Sequence, residues 1–387
     1  MRHVFLIGSN GIPASYGGFE TFVEQLTAHR KDQEIFYHVS CLSEKKGEFE
    51  YNHARCFQIK VPKLGPAKVI YYNTASLGEC CRYIKHHKLA DAVVYMLGCG
   101  VGPVFGHYKR KLHRLGAKLM INPDGLEWKR DKWSPLVRRY LKWSEKRMVK
   151  HSDLVICDSR KIEEYIKTEY SAYEPNTTFI AYGADLSKST LTAEASEAQK
   201  WFAEKKVMPN EYYLAVGRFV PENNFQTMLT EFMSSTTRRD FVLITDVKQN
   251  QFYEILKEKT GFDQDPRIKF VGTVYDQNLL KFIREHAYGY IHGHEVGGTN
   301  PSLLEALAST KMNLLFGVGF NREVGGQGAL YWEKKAGSLS KLIGDCDSMS
   351  EDDRQEFERK AKERITSYYN WDHIARIYEK CFKGELL

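Results

Sequence analysis

Short apolar runs, each closed by Gly, Asn or Asp, recur along the chain with helical patterns between them. In the first half, residues 4–9 (VFLIGS), 35–41, 56–61, 92–97 (AVVYML), 117–122, 153–158 (DLVICD) and 178–183 read as strands. The rhythm resumes at 212–217 (YYLAVG), 241–246, 268–273, 288–293 (YGYIHG) and 312–317. Strands alternating with helices imply an α/β fold with parallel sheets covered on both faces. Between the two sets, residues 185–206 are polar and helix-prone without strand pattern, so the domain boundary falls near 185–210. Two Rossmann-like domains facing each other across a cleft are the simplest architecture, with ligands at the carboxyl ends of the strands.

Composition narrows this modestly. The 387 residues make two domains at about 150 residues each. The eight cysteines are scattered without a Cys-x-x-Cys pair, which argues against structural zinc and disulfides and points to the reducing cytoplasm. The N-terminal MRHVFLIGSNG reads as a first strand rather than a signal peptide. The most apolar stretch, 92–106, is broken by Gly and Pro and falls short of the ~20 residues that span a bilayer. Net charge is +7, but residues 129–150 alone hold nine Lys/Arg against Asp131 and Glu145.

Three stretches carry candidate chemistry. In HGHEVGGTNPSLLEALA, Asn300 is a good N-cap and Pro301 a good first helical residue. Gly297 and Gly298 admit close approach of a ligand, and the N–H groups of Gly298, Thr299 and Asn300 at the helix start favour an anion. Glu305, one turn inside, either accepts two ribose hydroxyls or simply complements the helix dipole. His292 and His294 are expected to be satisfied strand-end histidines rather than metal ligands. In YYLAVGRFVPENN, Arg218 follows a strand end and either faces a diphosphate or pairs with Glu222. In IGSNGIPASYGGFETFVEQL, Gly17 and Gly18 precede a helix, again suiting close backbone approach to phosphate or sugar, although the strict G-x-G-x-x-G spacing is missing.

Together these stretches resemble glycosyltransferase family 4, the retaining enzymes of GT-B fold. Gly17, Gly18 and Glu20 resemble that family's GG-x-E element, VGRFVPENN its VGRL-x-PEK element, and GGTNPSLLEAL its EGFGLPxLEAM element. TFIAYGADL is similar to the segment closing its first domain, and YNWDHIARIYEKCF to its last helix, which returns to that domain. The resemblance implies an acceptor domain of residues 1–190 plus 370–387 and a nucleotide-sugar domain of 191–369. Two positions depart from the pattern. Gly297 stands where the family's first glutamate belongs, with Glu295 as a displaced carboxylate, and Asn223 stands where a lysine is usual. The combination with INPDGLEWKRDKWS is similar to bacterial rhamnosyltransferases of streptococcal-type polysaccharide assembly. That likeness implies dTDP-β-L-rhamnose as donor and a GlcNAc-diphosphate-lipid, or a glucose-primed equivalent, as acceptor. A UDP-sugar donor is the alternative.

Acceptor residues are then expected in the first domain. Asp124 and Glu127 follow a strand, and Trp128 can stack on a sugar ring, the alternative being a turn stabilised by Asp-Gly. Asp158 either caps the helix beginning at Ser159 or faces substrate. Tyr182 either reaches the cleft with its hydroxyl or is a core aromatic. With no Asp-x-Asp near a strand end, no metal is expected, and Arg218 with the helix start would stabilise the leaving diphosphate. The 134–149 helix either packs an apolar stripe (Leu136, Val137, Tyr140, Leu141, Trp143, Met148) on its domain or seats the protein on the cytoplasmic leaflet through Arg138, Arg139, Lys142, Lys146 and Arg147. An oxidoreductase fits the imperfect glycine fingerprint poorly, and a nucleic-acid binder fits the modest charge poorly.

Overall fold

The protein's structure, a computed structural model, describes residues 1–14, 17–62, 65, 68–130, 132–248 and 251–386. The chain forms two compact units, Met1–Gly183 with Trp371–Leu387, and Ala184–Asn370.

The first unit holds strands β1 (Arg2–Ile7), β2 (Ile35–Ser43), β3 (Gly47–Tyr51), β4 (Ala54–Lys60), β5 (Val93–Leu97), β6 (Lys118–Asn122), β7 (Leu154–Cys157) and β8 (Thr177–Phe179). Among the described residues they form one sheet in the order β3-β4-β2-β1-β5-β6-β7-β8, parallel except for β3. Helices cover both faces, so β5 and most of β1 are wholly apolar and buried. Direction reverses between β1 and β5, where such sheets bind ligands. There Gly8 lies at φ +104°, and a Cβ would fall 2.3 Å from the Leu97 carbonyl oxygen, so only glycine ends β1.

Helix Trp371–Lys383 belongs to this unit because of its aromatic stripe. The Tyr378 ring lies 5.1 Å from Phe22 and the Phe382 ring 5.6 Å from Tyr95. Glu379 accepts hydrogen bonds from the backbone N–H groups of Lys31 and Asp32 at 2.7 and 3.2 Å.

The second unit holds β9 (Tyr212–Val216), β10 (Asp240–Ile244), β11 (Ile268–Gly272), β12 (Gly289–His292), β13 (Met312–Phe316) and β14 (Leu330–Trp332). Its sheet runs β11-β10-β9-β12-β13-β14, all parallel. One apolar layer gathers Tyr213, Phe232, Phe241 and Trp332, the other Trp201, Phe202, Tyr212, Ile283 and Tyr290. The chain leaves β9 for β10 and β11 on one side and returns to β12 on the other. The reversal therefore lies between β9 and β12.

Two strands escape the sequence pattern. β3 pairs antiparallel with β4 through Asn52-His53, both at positive φ, the requirement of a tight hairpin turn. β14 is three residues at a sheet edge. β8 is shorter than expected, ending at Phe179, and Ile180 to Tyr182 continue as buried irregular chain.

Candidate active site

The reversal in the second unit brings two loops to one sheet edge. Residues 217–224 leave β9, and residues 293–300 leave β12. They are fastened by the Glu295 N–H to the Glu222 carbonyl (3.0 Å) and by Asn224 Nδ2 to the Gly293 carbonyl (2.8 Å). Asn224 adopts φ 57°, a conformation asparagine tolerates. The short helix Gly319–Gly325 after β13 joins them through Asn321, whose Nδ2 donates to the Phe316 and His294 carbonyls at 2.9 and 3.0 Å.

The helix start is as the sequence indicates. Helix Pro301–Ser309 opens at Asn300, whose Oδ1 accepts from Leu303 N–H at 3.3 Å. Gly297 lies at φ +147°, and a Cβ there would meet nothing within 4 Å, so the backbone faces open space. Gly298 and Thr299 are buried.

Glu305 has a partner that the sequence did not suggest. Arg284, 3% exposed, closes helix Gln277–Glu285 and places Nη2 2.6 Å from Glu305 Oε2. The glutamate itself is 30% exposed. Its carboxylate is thus oriented by a buried cation, which a dipole role alone does not require. Tyr290, beside them, donates to the Val216 carbonyl (3.2 Å) and shares a 3.1 Å hydrogen bond with Ser302 Oγ.

Arg218 is exposed, Glu222 is buried, and among the described residues no ion pair joins the two, which disfavours the pairing alternative. Glu222 Oε2 lacks a hydrogen-bond partner among the described residues. Asn223 is buried too, and its Nδ2 donates to the Arg218 carbonyl at 2.8 Å. It shapes the loop rather than replacing the lysine at its surface. Glu295 has one oxygen bound by Lys334 Nζ at 2.5 Å.

His292 corrects the expectation of a satisfied histidine. It is 1% exposed, and among the described residues neither ring nitrogen has a hydrogen-bond partner. Its ring stacks on His294 with centroids 4.3 Å apart and planes at 10°. Burial, then the neighbouring His294, hold it well below the usual histidine range, so it is neutral. Thr245 Oγ1, one residue beyond β10, and Asn321 Oδ1 are likewise buried without partners among the described residues. Buried polar groups are nearly always satisfied, so these three, gathered where the loops after β10, β12 and β13 leave the sheet, make that edge a candidate polar ligand site.

In the first unit the picture is more structural. Gly17 lies at φ +129°, and a Cβ would sit 2.0 Å from Glu20 Oε2. Glu20 Oε1 in turn accepts from Asn10 N–H at 2.6 Å. Gly17 therefore makes room for a loop-fastening carboxylate, and Gly18 begins helix Gly18–Ala28. Asp124 lies at φ 62° and its Oδ1 accepts from Gly125 N–H at 2.7 Å, the local Asp-Gly turn. Burial and the nearby Glu127 carboxylate push its pKa up. Glu127 is held by Arg130 and Lys132, each at 2.5 Å, and by Trp133 Nε1 at 2.9 Å. The Trp128 ring already has Lys142 Nζ 4.5 Å from its centroid.

Asp158 does not cap the next helix, because Ser159 does, accepting from Ile162 N–H at 3.2 Å. Asp158 is 3% exposed. Tyr182 is a core aromatic, its ring 5.1 Å from Phe22 and its hydroxyl 3.3 Å from Asn122 Nδ2.

The basic helix spans Pro135–His151 and buries Ser144, Glu145, Met148 and Val149. Leu136 and Trp143, expected in the apolar stripe, point to solvent at 79% and 46% exposure. Lys142 is committed inward, to Glu169 at 2.8 Å and to the Tyr165 hydroxyl. Arg139, Lys142, Trp143, Lys146 and Tyr173 help to line a cavity of about 340 Å³. Among the described residues, no group of three His, Cys, Asp or Glu side chains is placed to hold a metal ion, and no helix is long and apolar enough to cross a membrane.

Comparison with known proteins agrees with this layout. A family model described as a domain of unknown function, DUF1972, matches residues 1–185. No curated protein matches the chain in sequence. Among solved structures, sucrose-phosphate synthase from Thermosynechococcus elongatus is similar over 99% of this chain and 100% of its own, at TM-score 0.78 and 15% identity. A glycosyltransferase from Rickettsia africae covers 100% and 98% at TM-score 0.72 and 16% identity. Anabaena HepE, solved in complex with UDP, covers 99% and 100% at TM-score 0.69 and 13% identity. The fold is GT-B.

Proposed function

We propose that the protein is a retaining glycosyltransferase that takes a nucleotide-sugar donor in its second unit. The observation that carries this reading is the convergence at the β9/β12 edge of an open glycine loop, a capped helix N-terminus and a carboxylate oriented by a buried arginine. The helix start takes the diphosphate, Glu305 accepts from the nucleotide's sugar (both hydroxyls of a ribose, the 3′ hydroxyl of the deoxyribose in dTDP), and Arg218 adds an exposed cation at the rim. The solved relatives include HepE with UDP, and the whole-chain likeness supports a nucleotide as ligand.

In the reaction, the bond between the sugar C1 and the diphosphate oxygen breaks. The acceptor hydroxyl oxygen bonds to C1 on the same face, and its proton passes to the departing diphosphate oxygen. Arg218, the N–H groups of residues 298–300 and the helix dipole stabilise the charge that develops on the leaving group, without requiring a metal. Asp124, partly exposed after β6, is the acceptor-side carboxylate of this reading, and Asn122, which donates to the Tyr182 hydroxyl and accepts from the Asp124 N–H at 2.8 Å, holds its turn from the interior.

The motif likeness favours dTDP-β-L-rhamnose as donor and a GlcNAc-diphosphate-lipid as acceptor. An acceptor that stays in the bilayer requires a protein that works at the cytoplasmic leaflet. Leu136 and Trp143, seven residues apart on one helical face, with Arg139 and Lys146 beside them, supply an apolar and cationic surface for that contact. The test is incubation with a GlcNAc-diphosphate-lipid analogue and either dTDP-rhamnose or UDP-sugars. Rhamnosyl product from dTDP-rhamnose is expected. Product only from a UDP-sugar would replace the donor assignment, and product from neither would overturn the enzyme reading.

A further inference from the structure

We propose that His292 binds a hydroxyl of the transferred sugar and that its stacking on His294 fixes the ring for this purpose. The inference rests on the donor-site reading above and assigns it a sugar-recognising residue. Three rings succeed one another on one face of β12 and its continuation, Tyr290, His292 and His294. The innermost is anchored, since Tyr290 bonds the Val216 carbonyl and Ser302 at the start of the helix. His292 comes next, 5.8 Å from Tyr290 between ring centroids, wholly buried yet with both nitrogens unpartnered among the described residues. His294 lies against the opposite loop, where a Cβ on Gly217 would meet its Cε1 at 3.1 Å. The pair therefore sits at the reversal between β9 and β12, where the two loops meet.

The chemistry separates sugar from phosphate. An anion calls for Arg218 or the helix N–H groups, whereas a buried imidazole stacked on a second imidazole resists protonation. A neutral imidazole offers one donor and one acceptor, the same pair that a sugar hydroxyl offers in return. The ring is already desolvated and unpartnered in the folded protein, so a donor whose hydroxyl satisfies it gains a hydrogen bond that other donors forgo. The need for it is local: Gly297 brings no side chain, and one oxygen of Glu295 is taken by Lys334.

The test compares sugar-free and sugar-bearing nucleotides by calorimetry, using UDP with UDP-glucose and dTDP with dTDP-rhamnose. His292→Phe preserves ring volume and stacking but removes both polar nitrogens. It is expected to bind the nucleotide within about twofold of wild type and to lose tenfold or more for the accepted nucleotide-sugar. His292→Gln, which restores a donor and an acceptor, is expected to recover part of that loss. In the wild-type protein, ¹⁵N resonances of the His292 ring should move with the nucleotide-sugar and stay put with the nucleotide alone, a readout independent of any variant's folding. Unchanged sugar affinity in folded His292→Phe, or ring resonances blind to the sugar, would overturn the assignment while leaving the nucleotide site standing. A wild-type protein that binds neither nucleotide would overturn both.

Discussion

The Arg284–Glu305 pair allows the donor site to be tested by one substitution. Glu305→Gln keeps the side chain's shape and an oxygen for Arg284 Nη2, now 2.6 Å from Oε2, but removes the charge. A hydrogen bond to a charged group contributes about 1.5–3 kcal/mol and a neutral one about 1 kcal/mol. Because Glu305 is 30% exposed, the stability loss is the lower end of that difference, about 0.5 kcal/mol, although Arg284 is buried. The ribose contact is lost on top of this. In UDP, whose ribose offers two hydroxyls, the loss is about 1–4 kcal/mol, or roughly 5- to 900-fold in Kd, and in dTDP, whose deoxyribose keeps only the 3′ hydroxyl, about half that free energy. Titration of UDP and dTDP by calorimetry, with urea unfolding in parallel, reads both quantities. Arg284→Met separates them further, since it leaves the carboxylate charged but unoriented and should weaken nucleotide binding in partial overlap with Glu305→Gln. If folded Glu305→Gln binds both nucleotides as wild type does, the carboxylate serves only to neutralise Arg284, and the ribose role is wrong.

Three further outcomes are expected. Arg218→Ala should lower turnover by about 100-fold with the fold intact, and wild-type activity should survive EDTA, whereas a loss restored by magnesium would refute the metal-free mechanism. Replacing Arg139 and Lys146 by Gln and Trp143 by Ser should abolish sedimentation with vesicles of phosphatidylglycerol and phosphatidylcholine, each cation contributing about 1 kcal/mol, while activity on a short-chain acceptor persists. Undiminished sedimentation at physiological salt would place membrane contact elsewhere. His38, wholly buried, is held at a pKa of about 2, by burial first and then by Arg55. Only the unfolded chain takes up its proton below about 6.5, so the first unit should lose about 1.5–2 kcal/mol between pH 6.5 and 5. Urea midpoints of His38→Gln should lack that share of the acid arm, and an identical arm would refute the assignment.

Strand rhythm was legible because buried parallel strands are continuous apolar runs, and the two strands it missed lie where that rule lapses. β3 is an exposed edge strand and β14 has three residues, so neither needs the apolar density of the interior. The helix start at Asn300 was legible for a different reason, since capping is a contact within three residues. What failed were inferences about which groups remain available to a ligand. Gly17 looked like a phosphate contact, but Glu20 fills the space its missing side chain leaves. Asp158 competed with Ser159 for one cap and lost, and Trp128 faces a lysine fourteen residues on. The reverse error hid Arg284, since helix, strand and loop separate it from Glu305, and its burial depends on how they pack. His292 shows the same limit, because the sequence places a histidine at a strand end without telling whether a neighbour will satisfy it. Residue type within one loop therefore predicts backbone shape, while the free valence of a side chain is decided by elements distant in sequence. It follows that the two departures at Gly297 and Asn223 do not by themselves measure how polar the donor site is: Arg284 holds Glu305 from a preceding helix, and Thr245 and Asn321 add buried polar groups from positions outside the quoted motifs.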